Sequence, residues 1–250
     1  MDKDLLYPIL ALVAAMLIFS LWPGLDLIVS GWFHDPDRGF WLAGWPVLET
    51  LRQGFWNTGL AAVVVLAALT ALTARLQRWL TIPARVWGRA LLALLLGPGL
   101  LVNGLLKSHW GRARPRDITA FGGAADFTPP LTISHECARN CSFVSGEGAL
   151  AVTLALVLWG LFFAGARPAL RRAGGWSLAA LAVLACALRV LVGGHFLSDT
   201  LFAAGFCALV VGLLNHAPGL TAPPPAGPQQ IRDDLRRMAR RLACAFRTRR

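Results

Sequence analysis

The chain has 250 residues, of which 56% are hydrophobic and 15% charged, with a mean hydropathy of +0.57. A soluble domain typically carries about 25% charged residues, so a water-soluble globule, a disordered chain and a coiled coil are excluded. The formal charge of +11 would point a soluble chain toward nucleic acid, but no basic soluble domain exists to present such a face. The apolar residues instead gather into blocks near the roughly 17–25 residues that cross a hydrocarbon core as helix. The expected fold is all-α: a polytopic membrane protein with six transmembrane helices in a bundle.

In chain order the spans are expected at Leu5–Leu21, Thr58–Ala74, Ala90–Leu106, Gly148–Ala164, Trp176–Val192 and Phe196–Leu214. The opening Met1-Asp-Lys-Asp lacks the basic region and cleavage site of a signal peptide, so the first span is expected to be retained. The loop 22–57 carries Asp26, Asp35, Asp37 and Glu49 against Arg38 and Arg52. By contrast, loops 75–89 and 165–175 hold only arginines as charged residues, and eight more follow His216. With Lys3 this places 16 of the 24 basic residues on one side. The positive-inside rule makes that side cytoplasmic, with both termini on it. Loops 22–57 and 107–147 and the Gly193-Gly194 turn then lie outside.

Residues 1–216 thus form one membrane domain. Residues 217–230 (APGLTAPPPAGPQQ) are a Pro-rich, extended linker. In the tail 231–250, Ile231, Leu235, Met238, Leu242 and Phe246 recur at helical spacing among arginines. This suits an amphipathic helix on an anionic cytoplasmic leaflet, or else a solvated tail. Of the five cysteines, Cys186 and Cys207 lie inside apolar blocks as packing residues.

Five of the eight outer cations are concentrated: Lys107, Arg112, Arg114, Arg116 and Arg189. Charge at span ends is expensive and usually functional. If the third helix runs on, Lys107 and Arg114 face one way until Pro115 stops it. Such a pair suits a tetrahedral dianion such as phosphate, although snorkelling anchors explain Lys107 alone. Before the fourth span, Ser145 suits an N-cap and Gly146 permits close backbone approach, so free N–H groups there could bind an anion. Many helices begin Ser-Gly and bind nothing. His195 and Asp199 are four apart, so on a continuing helix Asp199 can hydrogen-bond the imidazole and fix its tautomer. An oriented imidazole can attack phosphorus.

Together these clusters resemble the signature of the type-2 phosphatidic acid phosphatase family, the membrane lipid phosphate phosphatases: K-x6-RP, PSGH and SR-x5-H-x3-D. The first appears as KSHWGRARP, Lys107 to Pro115. The third appears as LRVLVGGHFLSD, with Leu188 at the family's Ser and with Arg189, His195 and Asp199 in register. The second reads VSGE, with Val144 for Pro and Glu147 for His. The resemblance covers spans three to six. It implies that His195 attacks phosphorus, that Asp199 stabilises the resulting cation, and that water hydrolyses the phosphohistidine. Lys107, Arg114, Arg189 and the amides near Ser145 and Gly146 would hold the phosphoryl oxygens. No cofactor and no metal are implied, because the acids are scattered and the cations supply the electrostatic role of a metal.

Glu147 is a candidate acid if burial raises its pKa against the nearby cations. Otherwise it is a positioning residue, for example one paired with an arginine, and His109 or His135 could supply the proton. Cys137 and Cys141 are either a periplasmic disulfide or two free thiols. Residues 117–134 are either a lid over a lipid headgroup or a plain ordered loop. The expected function is a phosphatase of the bacterial inner membrane with a periplasmic site. Its candidate substrates are lipid A phosphate, undecaprenyl pyrophosphate, phosphatidylglycerol phosphate and phosphatidate. The alternatives are a lipid-to-lipid phosphotransferase and a non-catalytic binder of anionic lipid. The expected partners are the lipid phosphate and membrane lipids, including the anionic cytoplasmic leaflet, and not nucleic acid.

Overall fold

The computed structural model describes residues 2–221 and 227–247. Among these, six helices are long and apolar enough to cross a membrane: Lys3–Leu21, Pro46–Trp79, Ala84–His109, Gly146–Phe163, Pro168–Leu191 and Leu197–His216. They are the first to sixth spans of a polytopic all-α protein, and each overlaps a block expected from hydropathy.

The second span starts at Pro46, well before the expected Thr58. Proline suits the first helical position because its missing N–H would be unsatisfied there anyway. Glu49 accepts hydrogen bonds from Arg52 and Gln53 along that first stretch. Apolar periodicity cannot detect such a polar opening, so Glu49 and Arg52 lie on a helix rather than in a loop. The third span winds wider over Leu95–Leu106. Pro98 interrupts the ladder there, and its carbonyl accepts from Asn103 Nδ2 at 2.7 Å. A side chain at Gly146 would strike the Asn103 amide, so glycine lets the start of the fourth span approach this point closely.

The sixth span is the most enclosed. It packs on the first and fourth, while the fourth packs on the fifth and the second on the third. Phe19, Val102, Phe143, Phe202 and Cys207 fill one core cluster. Val86, Trp87, Leu94, Val157 and Leu161 fill another. The outward residues Leu10, Leu17, Val64 and Val65 are exposed and apolar, as a lipid-facing surface requires. After the first span a short helix, Leu25–Gly31, and a two-stranded ribbon, His34–Asp35 with Gly39–Phe40, return the chain to the second.

The tail forms a helix over Pro228–Arg247, beginning slightly ahead of the expected 231. Ile231 and Met238 are buried against the protein, and Asp234 accepts from the Thr81 and Ile82 amides at 2.9 and 2.8 Å. Arg241 stacks on Trp79. Part of the apolar face expected to meet a leaflet is therefore occupied by the protein itself. The side chains of Leu242 and Phe246, and residues 222–226 of the linker, lie outside the described residues.

Candidate active site

The motif-bearing ends of spans three to six are joined by backbone hydrogen bonds within and beside the three motifs. Ser142 N donates to the Arg112 carbonyl at 2.8 Å, Ser145 N to Asp199 O at 3.1 Å, and Arg116 N to Gly193 O at 3.2 Å. The third span stops at His109, and Gly111 turns the chain with a φ of 68°. Arg114 then sits on extended backbone. Lys107 and Arg114 therefore do not share a helix face by periodicity, as the continuing-helix reading expected. They converge on Asn140, whose Oδ1 accepts from Lys107 Nζ at 2.8 Å and whose carbonyl accepts from Arg114 Nη2 at 2.6 Å. A disulfide between Cys137 and Cys141 closes the loop that presents Asn140.

The R-x5-H spacing is a helix ending. The Arg189 carbonyl accepts from the amides of Gly194 and His195 while Gly193 takes a φ of 63°, the left-handed turn that glycine adopts without strain. His195 thus precedes the sixth helix, which starts at Leu197, so the pairing with Asp199 is not one turn of a continuous helix. His195 Nδ1 lies 2.7 Å from the Ser142 carbonyl. A carbonyl only accepts, so Nδ1 carries the proton and Nε2 keeps the lone pair. Asp199 Oδ2 stands 3.7 Å from Nδ1. Its hydrogen bonds come from the Phe196 amide and the Ser142 hydroxyl. Burial pushes the His195 pKa down to about 4, with Asp199 acting in the opposite direction.

Beneath the imidazole lies a buried ionic group. Arg112 is fully buried and donates to Asp199 Oδ1 at 2.7 Å, Asp26 Oδ2 at 2.8 Å, Ser198 Oγ at 2.8 Å and the Thr128 carbonyl at 2.8 Å. The Phe196 ring sits 4.2 Å from its guanidinium carbon. Arg112, one of the five concentrated cations, is therefore sealed away from any ligand.

Above the imidazole is a polar cavity of about 340 Å³, lined by His195, Lys107, Arg114, Arg116, Arg189, Glu147, Arg52 and Glu49 among others. Arg189 is 8% exposed, and its Nε has no hydrogen-bond partner. Glu147 Oε1 accepts from Arg52 Nη1 at 2.8 Å, and Oε2 lies 3.6 Å from Arg189 Nε. The pairing of Glu147 with an arginine is thus the geometry found.

Of the expected site residues, His195, Lys107, Arg114, Arg189 and Glu147 share the cavity lining. Asp199 lies beneath it, fully buried. Ser145 and Gly146 are buried outside the lining. The Ser145 hydroxyl caps the fourth span, accepting from Gly148 N at 3.2 Å. Neither His109 nor His135 lines the cavity, nor does any residue of 117–134. That loop is instead tied to the ionic group and its surroundings through Thr128, Phe127 and Pro130. Sequence reasoning missed Asp26, Arg52 and Asn140. Asp26 and Arg52 were visible only as charges in an outer loop. Among the described residues no three His, Cys, Asp or Glu side chains group as metal ligands.

The PAP2 superfamily matches residues 87–220. A lipid A 4'-phosphatase of Rhizobium leguminosarum is 47% identical over 44% of this chain and 45% of its own length. A lipid A 4'-phosphatase of Rhizobium etli is 36% identical over 74% of this chain and 76% of its own. One from Francisella tularensis subsp. novicida is 29% identical over 77% and 85%. The chain thus spans less than half of the first relative and about three-quarters or more of the other two. No solved structure matches significantly.

Proposed function

The chain belongs to the PAP2 superfamily and is a membrane phosphatase, and on that premise we propose that it removes a phosphate monoester from a glycolipid of the lipid A type. The phosphate at the 4' position is the one named for the three similar proteins. One observation carries this reading. A neutral imidazole with its lone pair on Nε2 lines the same cavity as Lys107, Arg114 and the buried, hydrogen-bond-deficient Arg189.

Lys107, Arg114 and Arg189, three of the cations lining this cavity, match a phosphoryl group, whose transition-state charge is spread over its equatorial oxygens. Guanidinium groups offer paired N–H donors to such oxygens, and an orphaned buried donor is costly until an acceptor arrives. In the proposed reaction His195 Nε2 bonds to phosphorus as the P–O bond to the sugar breaks. The leaving oxygen takes a proton from water at the cavity mouth. A second water then attacks phosphorus and gives its proton to the hydroxide left by the first, the P–N bond breaks, and inorganic phosphate leaves. The proton stays on Nδ1, hydrogen-bonded to the Ser142 carbonyl, and Asp199 compensates the ring's positive charge without accepting that proton. Glu147 holds Arg52 and faces Arg189, a positioning role, and no metal is required. By the charge sidedness of the loops, the cavity opens to the periplasm.

The test is phosphate release from lipid A by the detergent-purified chain, with His195→Ala in parallel. Release by the parent, its loss in His195→Ala and its insensitivity to a chelator are the expected results. Undiminished release by His195→Ala would remove the nucleophile assignment.

A further inference from the structure

We infer that Asp26 is a positioning residue for His195: it neutralises Arg112, leaving the charge of Asp199 to be balanced by the imidazole when that ring becomes cationic. The inference rests on the phosphohistidine reading above. Asp26 lies on the short helix Leu25–Gly31, outside the three motifs and ahead of the family match at 87–220.

The geometry fixes the charge state. The Asp26 carboxylate is fully buried and accepts from Arg112 Nη2 at 2.8 Å, from Ser198 N at 2.9 Å and from the Ser198 hydroxyl. Burial raises its pKa against the opposing Arg112 charge. All three partners are donors, however, and none needs a proton from Asp26, so the ionised form fits. Asp199 is likewise surrounded by donors: Arg112, Ser142 Oγ and Phe196 N. Arg112 alone stands between the two carboxylates, so the sealed group carries one net negative charge.

That surplus lies under a neutral imidazole. When Nε2 bonds to phosphorus with Nδ1 still protonated, the ring gains one positive charge and the buried set becomes neutral. Without Asp26, Arg112 and Asp199 already cancel, and the cation would form in a buried site with no surplus carboxylate beneath it to balance it. The other charged groups facing the ring cannot substitute. Lys107 and Arg189 oppose a cation, and the Glu147 carboxylate is paired with Arg52. The spacing supports this division of labour: at 3.7 Å Asp199 balances charge rather than taking the Nδ1 proton.

The experiment compares Asp26→Asn, Asp26→Glu, His195→Ala and the double variant Asp26→Asn/Arg112→Gln. All are full chains in detergent, assayed for kcat and KM on lipid A and for alkali-quenched phosphoprotein. Asp26→Asn should lower kcat and the rate of phosphoprotein formation at least about tenfold, with KM within about threefold of the parent. Asp26→Glu should recover much of the loss. The double variant, which keeps one net negative charge, should exceed Asp26→Asn in kcat. A merely structural role predicts instead that the double variant is the worse of the two, and that result overturns the inference. So does an Asp26→Asn kcat within threefold of the parent. If Asp26→Asn fails to fold, the double variant decides: kcat within about tenfold of the parent supports the charge argument, and kcat at the His195→Ala level overturns it. Activity surviving in His195→Ala overturns the phosphohistidine reading itself, which separates that failure from a failure confined to Asp26.

Discussion

Arg52 and Glu147, 95 residues apart in sequence, share a hydrogen bond of 2.8 Å at the wall of the cavity. Held this way, the carboxylate accepts from Arg52 and faces Arg189, the geometry of a positioning group. Glu147→Gln should therefore lower kcat/KM about three- to tenfold, not the 10²–10⁴-fold expected on losing a general acid. Arg52→Gln should cost a similar amount. Because the two residues share one bond, the double variant should lose less than the sum, with a coupling of about 0.5–1.4 kcal/mol. Steady-state kinetics on the four proteins gives that cycle directly.

Arg189 is the cation with an unsatisfied buried nitrogen. Arg189→Ala should cost about 10²–10³ in kcat, the scale for removing one donor aimed at developing charge. Arg189→Lys should recover only part of it, because an ammonium is a point charge without the planar fork. Full recovery in the lysine variant would show that charge alone is required.

His195 is held neutral by burial, with a pKa near 4 against an ordinary value of 6.5. In the proposed reaction the neutral ring is the reactive form, so activity should be lost as pH falls through about 4, not through 6–7. Nitrogen NMR of histidine-labelled protein should show this ring uncharged at pH 5.5 and titrating only below that. Stability follows the same difference. The unfolded chain takes up the proton near 6.5 and the folded chain only near 4, so stability falls as pH is lowered across that window.

Asn140 receives both Lys107 and Arg114, and the Cys137–Cys141 disulfide closes the loop on either side of it. Replacing both cysteines by serine should loosen that acceptor. We expect KM to rise several-fold while kcat changes by less than about threefold, since the loop orients cations rather than the nucleophile. Adding a mild reductant to the parent should reproduce the effect and leave the serine variant unchanged.

At the other end of the bundle, Asp234 is buried and caps the Thr81 and Ile82 amides. Asp234→Ala should destabilise the protein by about 1–3 kcal/mol through those unsatisfied donors. Thermal melting in detergent should show the fall, with lipid A turnover at low temperature intact.

The number of spans and their order were legible because an unbroken apolar run is a strong signal. Their polar starts were not. Pro46 to Arg52 form helix because proline suits the first turn and Glu49 pairs with Arg52, neither of which contributes to hydropathy. The cations of the site were legible as charge on the less basic side. What each one touches was not. Arg112 and Arg114 are two residues apart, yet one is sealed between carboxylates and the other lines the cavity. The turn at Gly111 takes both off the helix that carries Lys107, and a helical extrapolation from Lys107 misses that turn. Asp26 was hidden for a related reason: its partners are 86 and 172 residues away, and no local pattern records such a distance.

The second span reaches the cavity from outside residues 87–220. The apparatus that would cleave a phosphate and the wall that would face the rest of the headgroup are thus carried on separate stretches of one chain. Leu42, Trp45, Glu49 and Arg52 line that wall, and Arg52 is tied to the apparatus through Glu147. Substrate preference is in this sense a graftable property. Transplanting residues 42–51 between relatives, with Arg52 kept, should alter which headgroup is accepted while leaving the rate on a minimal phosphate ester nearly constant.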